Sequence, residues 1–111
     1  MGYCRAVVAG KSVYVSGTAP IMFDGGDLPD GAYEQARRCL EVIVDALEQA
    51  GGSADDVVRT RVFITDAQWF DDVARAHAEV FREVRPANTT VVTQLMDPSW
   101  KVEIEAEAIL P

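Results

Sequence analysis

A chain of 111 residues, 49% of them hydrophobic, has apolar material for a core but no run of about 18 apolar residues that would cross a membrane as a helix. Its formal net charge of -8 at pH 7, from 10 Lys and Arg against 18 Asp and Glu, repels phosphate backbones and argues against a nucleic-acid partner. Two cysteines and one histidine suggest neither a disulfide framework nor a metal site, and no cofactor is expected.

The opening Met1-Gly2-Tyr3-Cys4-Arg5 lacks the apolar stretch of a secretory leader. Ala6 breaks the Ser/Thr position of a myristoylation pattern, so the expectation is a cytoplasmic protein. Residues 3–8 and 12–16 read as two strands joined at Ala9-Gly10-Lys11, a hairpin signal. Val13 and Val15 share a face of the second strand, and Gly17 ends it. Thr18 to Gly31 is rich in Pro, Gly and Asp, the chemistry of a loop. Asp30 is placed to cap a helix over about Ala32–Ala50, whose apolar stripe is Tyr33, Ala36, Leu40, Ile43, Leu47 and Ala50. Gly51-Gly52 stops it.

Val57–Ile64 is the next strand, with Val58, Thr60, Val62 and Ile64 pointing one way and Arg59, Arg61 and Phe63 the other. Asp66 caps a second helix, about Gln68–Arg82, with Phe70, Val73, His77 and Phe81 on its core stripe. His77 has the chemistry of a general base, but a stripe position favours a packing role. Arg85 to Val92 is a Pro-started strand carrying the polar cluster Asn88, Thr89 and Thr90. After the loop Gln94–Trp100, the strand from Lys101 to Ala106 alternates strictly. Val102, Ile104, Ala106 and Ala108 fall on one face, Glu103, Glu105 and Glu107 on the other. Three acids on one strand face require water, a cation or a ligand.

The order of two strands, helix, strand, helix and two strands is an α+β layout, with helices on one face of a mixed sheet in a single domain, 1–111. Two helices cover one face only. The other exposes Phe63, Val92 and either Tyr14 or Val15 unless a partner covers it.

The final segments resemble the Rid superfamily of YjgF/RidA-like proteins, which carries Pro-Ala-Arg-Ser followed by a Val-Glu-Ile-Glu-Ala strand. Here Pro86-Ala87 leads into Asn88-Thr89, and Val102-Glu103-Ile104-Glu105-Ala106 matches in full. Ser16-Gly17 falls on the family's Ser-Gly pair and Tyr3 on its pocket tyrosine. Gly51 to Asp66 is also similar, so the resemblance covers nearly the whole chain. It implies the chorismate-mutase-like fold and a homotrimer with small-molecule pockets between subunits.

Glu103 falls on the glutamate that in the family orients or activates a water, and is the catalytic candidate. A paired structural carboxylate is the competing reading, with Arg59 or Arg61 as the partner. Tyr3, Ser16, Gly17, Asn88, Thr89 and Thr90 are the candidate ligand contacts. The family's carboxylate-gripping arginine is absent: Asn88 stands in its place, without charge or the two-point fork. Arg5, Arg61 and Arg85 are the cations available to compensate. The resemblance therefore implies one of two functions. One is hydrolysis of a reactive enamine, imine or related metabolite other than a typical 2-imino acid. The other is a non-catalytic ligand-binding or interaction module on the same scaffold.

Overall fold

The computed structural model describes residues 1–111. Its elements run β1 (Ala6–Ala9), β2 (Ser12–Thr18), α1 (Ala32–Gln49), β3 (Val57–Ile64), α2 (Phe70–Phe81), β4 (Ala87–Val92) and β5 (Val102–Ile109). The sheet order is β1-β2-β5-β3-β4. Every neighbouring pair is antiparallel except β3 and β4, which run parallel because α2 carries the chain back between them. This is the expected α+β fold, a mixed sheet with both helices on one face.

The core lies between that face and the helices. Leu40, Ile43 and Leu47 of α1 and Val73, Ala76 and Phe81 of α2 meet Val13, Val15, Val62, Ile64, Val102, Ile104 and Ala106 of the strands. Each large aliphatic side chain buried there stabilises the fold by about 1.5–3 kcal/mol. The strict alternation of β5 holds over its length: Val102, Ile104, Ala106 and Ala108 are buried, and the three glutamates are half-exposed on the opposite face.

Several local expectations change. β1 starts at Ala6 rather than residue 3, which leaves Tyr3 ahead of the sheet. Gly17 does not end β2; the strand continues to Thr18 through a register shift against β5 between Val15 and Thr18. Another shift, between Val57 and Arg59, turns Val57 into the core and Val58 out to solvent, so Val58 does not share the face of Thr60. Asp30 does not cap α1: Gly31 takes that position in extended conformation, with no side-chain bond. The Asp30 carbonyl instead accepts from Lys101 Nζ at 2.6 Å. Gly51, at φ 93, ends α1 as expected. Asp66 does cap, but it starts a 3-10 turn, Ala67–Trp69, that leads into α2.

Gln35 is a buried polar hub. Its Nε2 donates to the carbonyls of Pro29 and Ser99, and its Oε1 accepts from the Lys101 backbone N–H at 2.7 Å. It fastens the loop before α1 to the loop before β5, and so fixes the entry of the strand that carries Glu103.

Candidate functional site

Tyr14, Arg59, Arg61, Phe63, Thr89, Glu103, Glu105 and Glu107 share the sheet face that no helix covers, by register across four strands. Tyr14, not Val15, is the exposed member of β2. The three glutamates do not share one environment. Arg61 Nη1 stands 3.0 Å from Glu105 Oε1 and 3.1 Å from Glu107 Oε1, pairing with both. Glu103 is left without an ion pair or hydrogen bond of its own. Its carboxyl is held above the usual carboxylate range, first by burial and then by repulsion from Glu105, with Arg5 pulling the other way. A carboxylate with a raised proton affinity and no structural partner is suited to give and take a proton.

Gly17 makes that position available. A β-carbon added there would lie 2.6 Å from Glu103 Oε2, so the carboxylate occupies space that any side chain at 17 would claim. Arg5 secures the same irregular stretch of β2: its Nη1 donates to the Gly17 carbonyl at 3.2 Å and to Thr18 Oγ1 at 2.9 Å. Ser16 Oγ donates to the Cys4 carbonyl at 2.7 Å, fixing the backbone one residue after the exposed Tyr3. Ser16, Gly17 and Glu103 thus form one locality, and the backbone leading to Tyr3 is tied to it. Cys39 lies behind it on α1, fully buried, with its thiol pushed up by desolvation.

The polar cluster on β4 is divided by the alternation of the strand. Thr89 pairs with Arg61 on the uncovered face, whereas Asn88 pairs with Thr60 and Thr90 with Val62 on the helix side. Within one chain, the sheet therefore stands between Asn88 and Glu103. Asn88 belongs instead to a cleft of about 170 Å³ at the sheet edge, lined by Phe70, Val73, Ala74, His77 and Thr90 among others. Its Nδ2 donates to Thr60 Oγ1 at 2.9 Å, and its Oδ1 accepts from Thr90 Oγ1 at 2.8 Å. Thr60 Oγ1 lies 2.8 Å from His77 Nε2, and the His77 ring tilts against Phe81 at 4.7 Å. Burial lowers the proton affinity of His77.

Sequence reasoning missed the Thr60–His77 link and the part Arg5 plays at Gly17. Both join residues far apart in the chain, and no local pattern announces them. Of Arg5, Arg61 and Arg85, Arg5 and Arg61 are already committed to partners within the chain. No group of three or more His, Cys, Asp or Glu side chains is placed to hold a metal ion. No helix is long and apolar enough to cross a membrane.

Comparison with known proteins agrees with this architecture. The family model described as endoribonuclease L-PSP matches residues 1–110. A RutC family protein of Pyrococcus abyssi is 33% identical over 107 residues, covering 96% of this chain and 84% of that protein. A Mycobacterium tuberculosis member of the YjgF/YER057c/UK114 family superposes with a TM-score of 0.88 at 42% identity, over 98% of this chain and 87% of that one. TdcF of E. coli, in a structure with bound serine, superposes with a TM-score of 0.92 at 30% identity, over 100% and 90% of the two chains.

Proposed function

Because the chain belongs to the endoribonuclease L-PSP family, whose structures include YjgF- and RidA-type proteins, we propose that it binds a small reactive metabolite and hydrolyses it with Glu103 and a water. The observation that carries this reading is the contrast along β5: Arg61 pairs with Glu105 and Glu107, while Glu103 sits half-buried, unpaired and against bare Gly17. An enamine first takes a proton at carbon and loses one from nitrogen to become the imine. Water then adds to the C=N carbon while Glu103 takes one of its protons and passes it to nitrogen. The remaining hydroxyl proton moves to nitrogen through the same carboxylate as the C–N bond breaks, so ammonia leaves and a carbonyl remains. No metal or organic cofactor is needed for these steps, and the cytoplasm is the compartment we assign.

The substrate is neutral or anchored by something other than a charged fork. Serine bound to TdcF is a precedent for a small polar ligand in that protein. Here Asn88 offers no cation, and its amide is engaged by Thr60 and Thr90. Glu103 and Asn88 lie on opposite faces of one sheet, so a pocket using both draws them from two copies. A homotrimer whose uncovered sheet faces pack together, with the β4 edge of each copy set against the next, meets that requirement and hides Val7, Tyr14 and Val91, now exposed. Light scattering should then give a mass of three chains; a monodisperse monomer at micromolar concentration contradicts the assembly.

The second reading, a binding or interaction module without turnover, rests on the same engaged Asn88 amide. Glu103→Gln separates the two. Loss of ammonia release from freshly generated imines and enamines supports hydrolysis, whereas unchanged release, or a change in ligand affinity alone, removes it.

A further inference from the structure

The hydrogen bonds around Asn88 fix the polarity of the edge cleft. Thr60 is fully buried, and its hydroxyl already accepts from Asn88 Nδ2 at 2.9 Å. A buried hydroxyl proton needs an acceptor, and the one within reach is His77 Nε2 at 2.8 Å. This network assigns the His77 proton to Nδ1. That atom has no partner in the chain, and no buried side-chain nitrogen or oxygen lacks one, so Nδ1 is reached from solvent. On the β4 side, Thr90 gives its proton to Asn88 Oδ1 and keeps lone pairs free. With His77 and Thr90 both lining it, the cleft can offer one neutral donor and one neutral acceptor between the apolar walls of Phe70, Val73 and Ala74. Its volume of about 170 Å³ compares with about 30 Å³ per water in the liquid, so it takes a handful of heavy atoms.

We propose that this cleft takes the amide-like end of an uncharged ligand, with His77 Nδ1–H donating to the ligand carbonyl, Thr90 Oγ1 accepting from its N–H, and a carboxylate excluded. His77 is then a specificity-determining residue rather than only a member of the core stripe. The inference rests on reading the cleft as part of the ligand pocket, and it names the chemical class that pocket selects.

The probes are propionamide and propionate, matched in shape, titrated into the labelled full-length protein and followed by backbone amide NMR. Propionamide should shift resonances of residues 74–78 and 88–90, and propionate should leave them in place. His77→Phe keeps a ring against Phe81 but removes the donor; Thr90→Val, on a strand edge, removes the acceptor. Each should weaken propionamide binding about three- to tenfold, the scale of one neutral hydrogen bond. Long-range ¹⁵N correlation on the imidazole should find the proton on Nδ1. Equal response to the two probes, response to neither, or the proton on Nε2 would overturn the proposal, and Thr90→Val decides the matter if His77→Phe fails to fold. Glu103→Gln keeps this test apart from the hydrolytic reading. Turnover lost in that variant with no amide binding sinks the cleft assignment alone, and amide binding without any wild-type turnover sinks hydrolysis alone.

Discussion

Gly17 and Glu103 share one volume: a β-carbon at position 17 would stand 2.6 Å from Glu103 Oε2 and 3.4 Å from its carboxyl carbon. The obstruction is the far end of a flexible side chain, so the backbone need not move. Gly17→Ala should therefore fold with little loss of Tm, while driving the carboxylate outward into water. The Glu103 proton affinity, read by side-chain ¹³C NMR, should fall toward that of an ordinary glutamate as its burial is lost. Any hydrolysis that depends on Glu103 should drop by ~10²-fold, the usual cost of an ångström of misplacement. An unchanged Glu103 titration would mean that Gly17 does not govern the carboxylate.

What the amino-acid order made legible was whatever has a period. The two-residue alternation of β5 and the three-and-four spacing on α1 fixed the faces of those elements, because one side of each is buried against the core. β4 has no such signal. It is an edge strand, exposed along nearly all its length, so no apolar alternation marks which of Asn88 and Thr89 faces the helices. The extra residue near Val57 and Val58 was hidden for a related reason: both are valines, and either could fill the core position. Asp30 and Gly31 are adjacent candidates for one cap, and a single-residue choice lies within the uncertainty of any helix start. The distinct standing of Glu103 among three glutamates depends on where Arg61 reaches, which only the folded sheet decides.

Glu103 also makes a statement about stability. Its folded-state proton affinity is raised above that of the unfolded chain, so its favourable contribution is present at low pH, below the unfolded value, and is lost as pH rises through the folded one. Once ionised, the carboxylate opposes folding. Glu103→Gln should thus raise Tm at pH 7, on a scale where ~1 kcal/mol moves a domain of this size by about 4–8 °C. The gain should vanish near pH 4. A Tm that falls at pH 7 would show that the charge is stabilised by a partner.

His77 titrates with the opposite sense. Burial lowers its proton affinity, so the folded state resists the proton that the unfolded chain accepts near its ordinary value of about 6.5. Stability should be full above that value and decline as pH falls from it toward the folded one. His77→Phe should flatten this part of the Tm–pH curve while leaving the Glu103-dependent limb in place. A curve of unchanged shape would remove His77 as its cause.

The family description names an endoribonuclease, but the charge of -8 does not suit a phosphate backbone. On the uncovered face, Arg61 is already spent on Glu105 and Glu107. Labelled RNA, followed by anisotropy with a nuclease-free preparation, should bind more weakly than about 10⁻⁴ M at physiological salt. Tight binding that collapses between low and moderate salt would contradict this and reveal a basic surface formed on assembly.

Asn88→Arg should convert the edge cleft from amide to carboxylate recognition. The substitution removes the Thr90 partner, but Thr90 lies on an edge strand where water can replace it. Thr60 Oγ1, which is fully buried, can still accept from a guanidinium N–H, so the fold should survive. A neutral His77 beside it does not repel the new cation. One bidentate contact of about 2–3 kcal/mol corresponds to roughly 30- to 150-fold in binding, so propionate, silent in the wild type, should become measurable by calorimetry. Propionamide should lose affinity at the same time. The wild type should release little ammonia from 2-imino acids, and Asn88→Arg should release more. Adding Glu103→Gln should abolish that gain but leave propionate binding intact, since Glu103 acts on the water and the new guanidinium on the carboxylate. Vigorous wild-type turnover of 2-imino acids would refute the argument. It would place the anchoring role on a cation such as Arg85, the one of the three candidates not already spent within the chain.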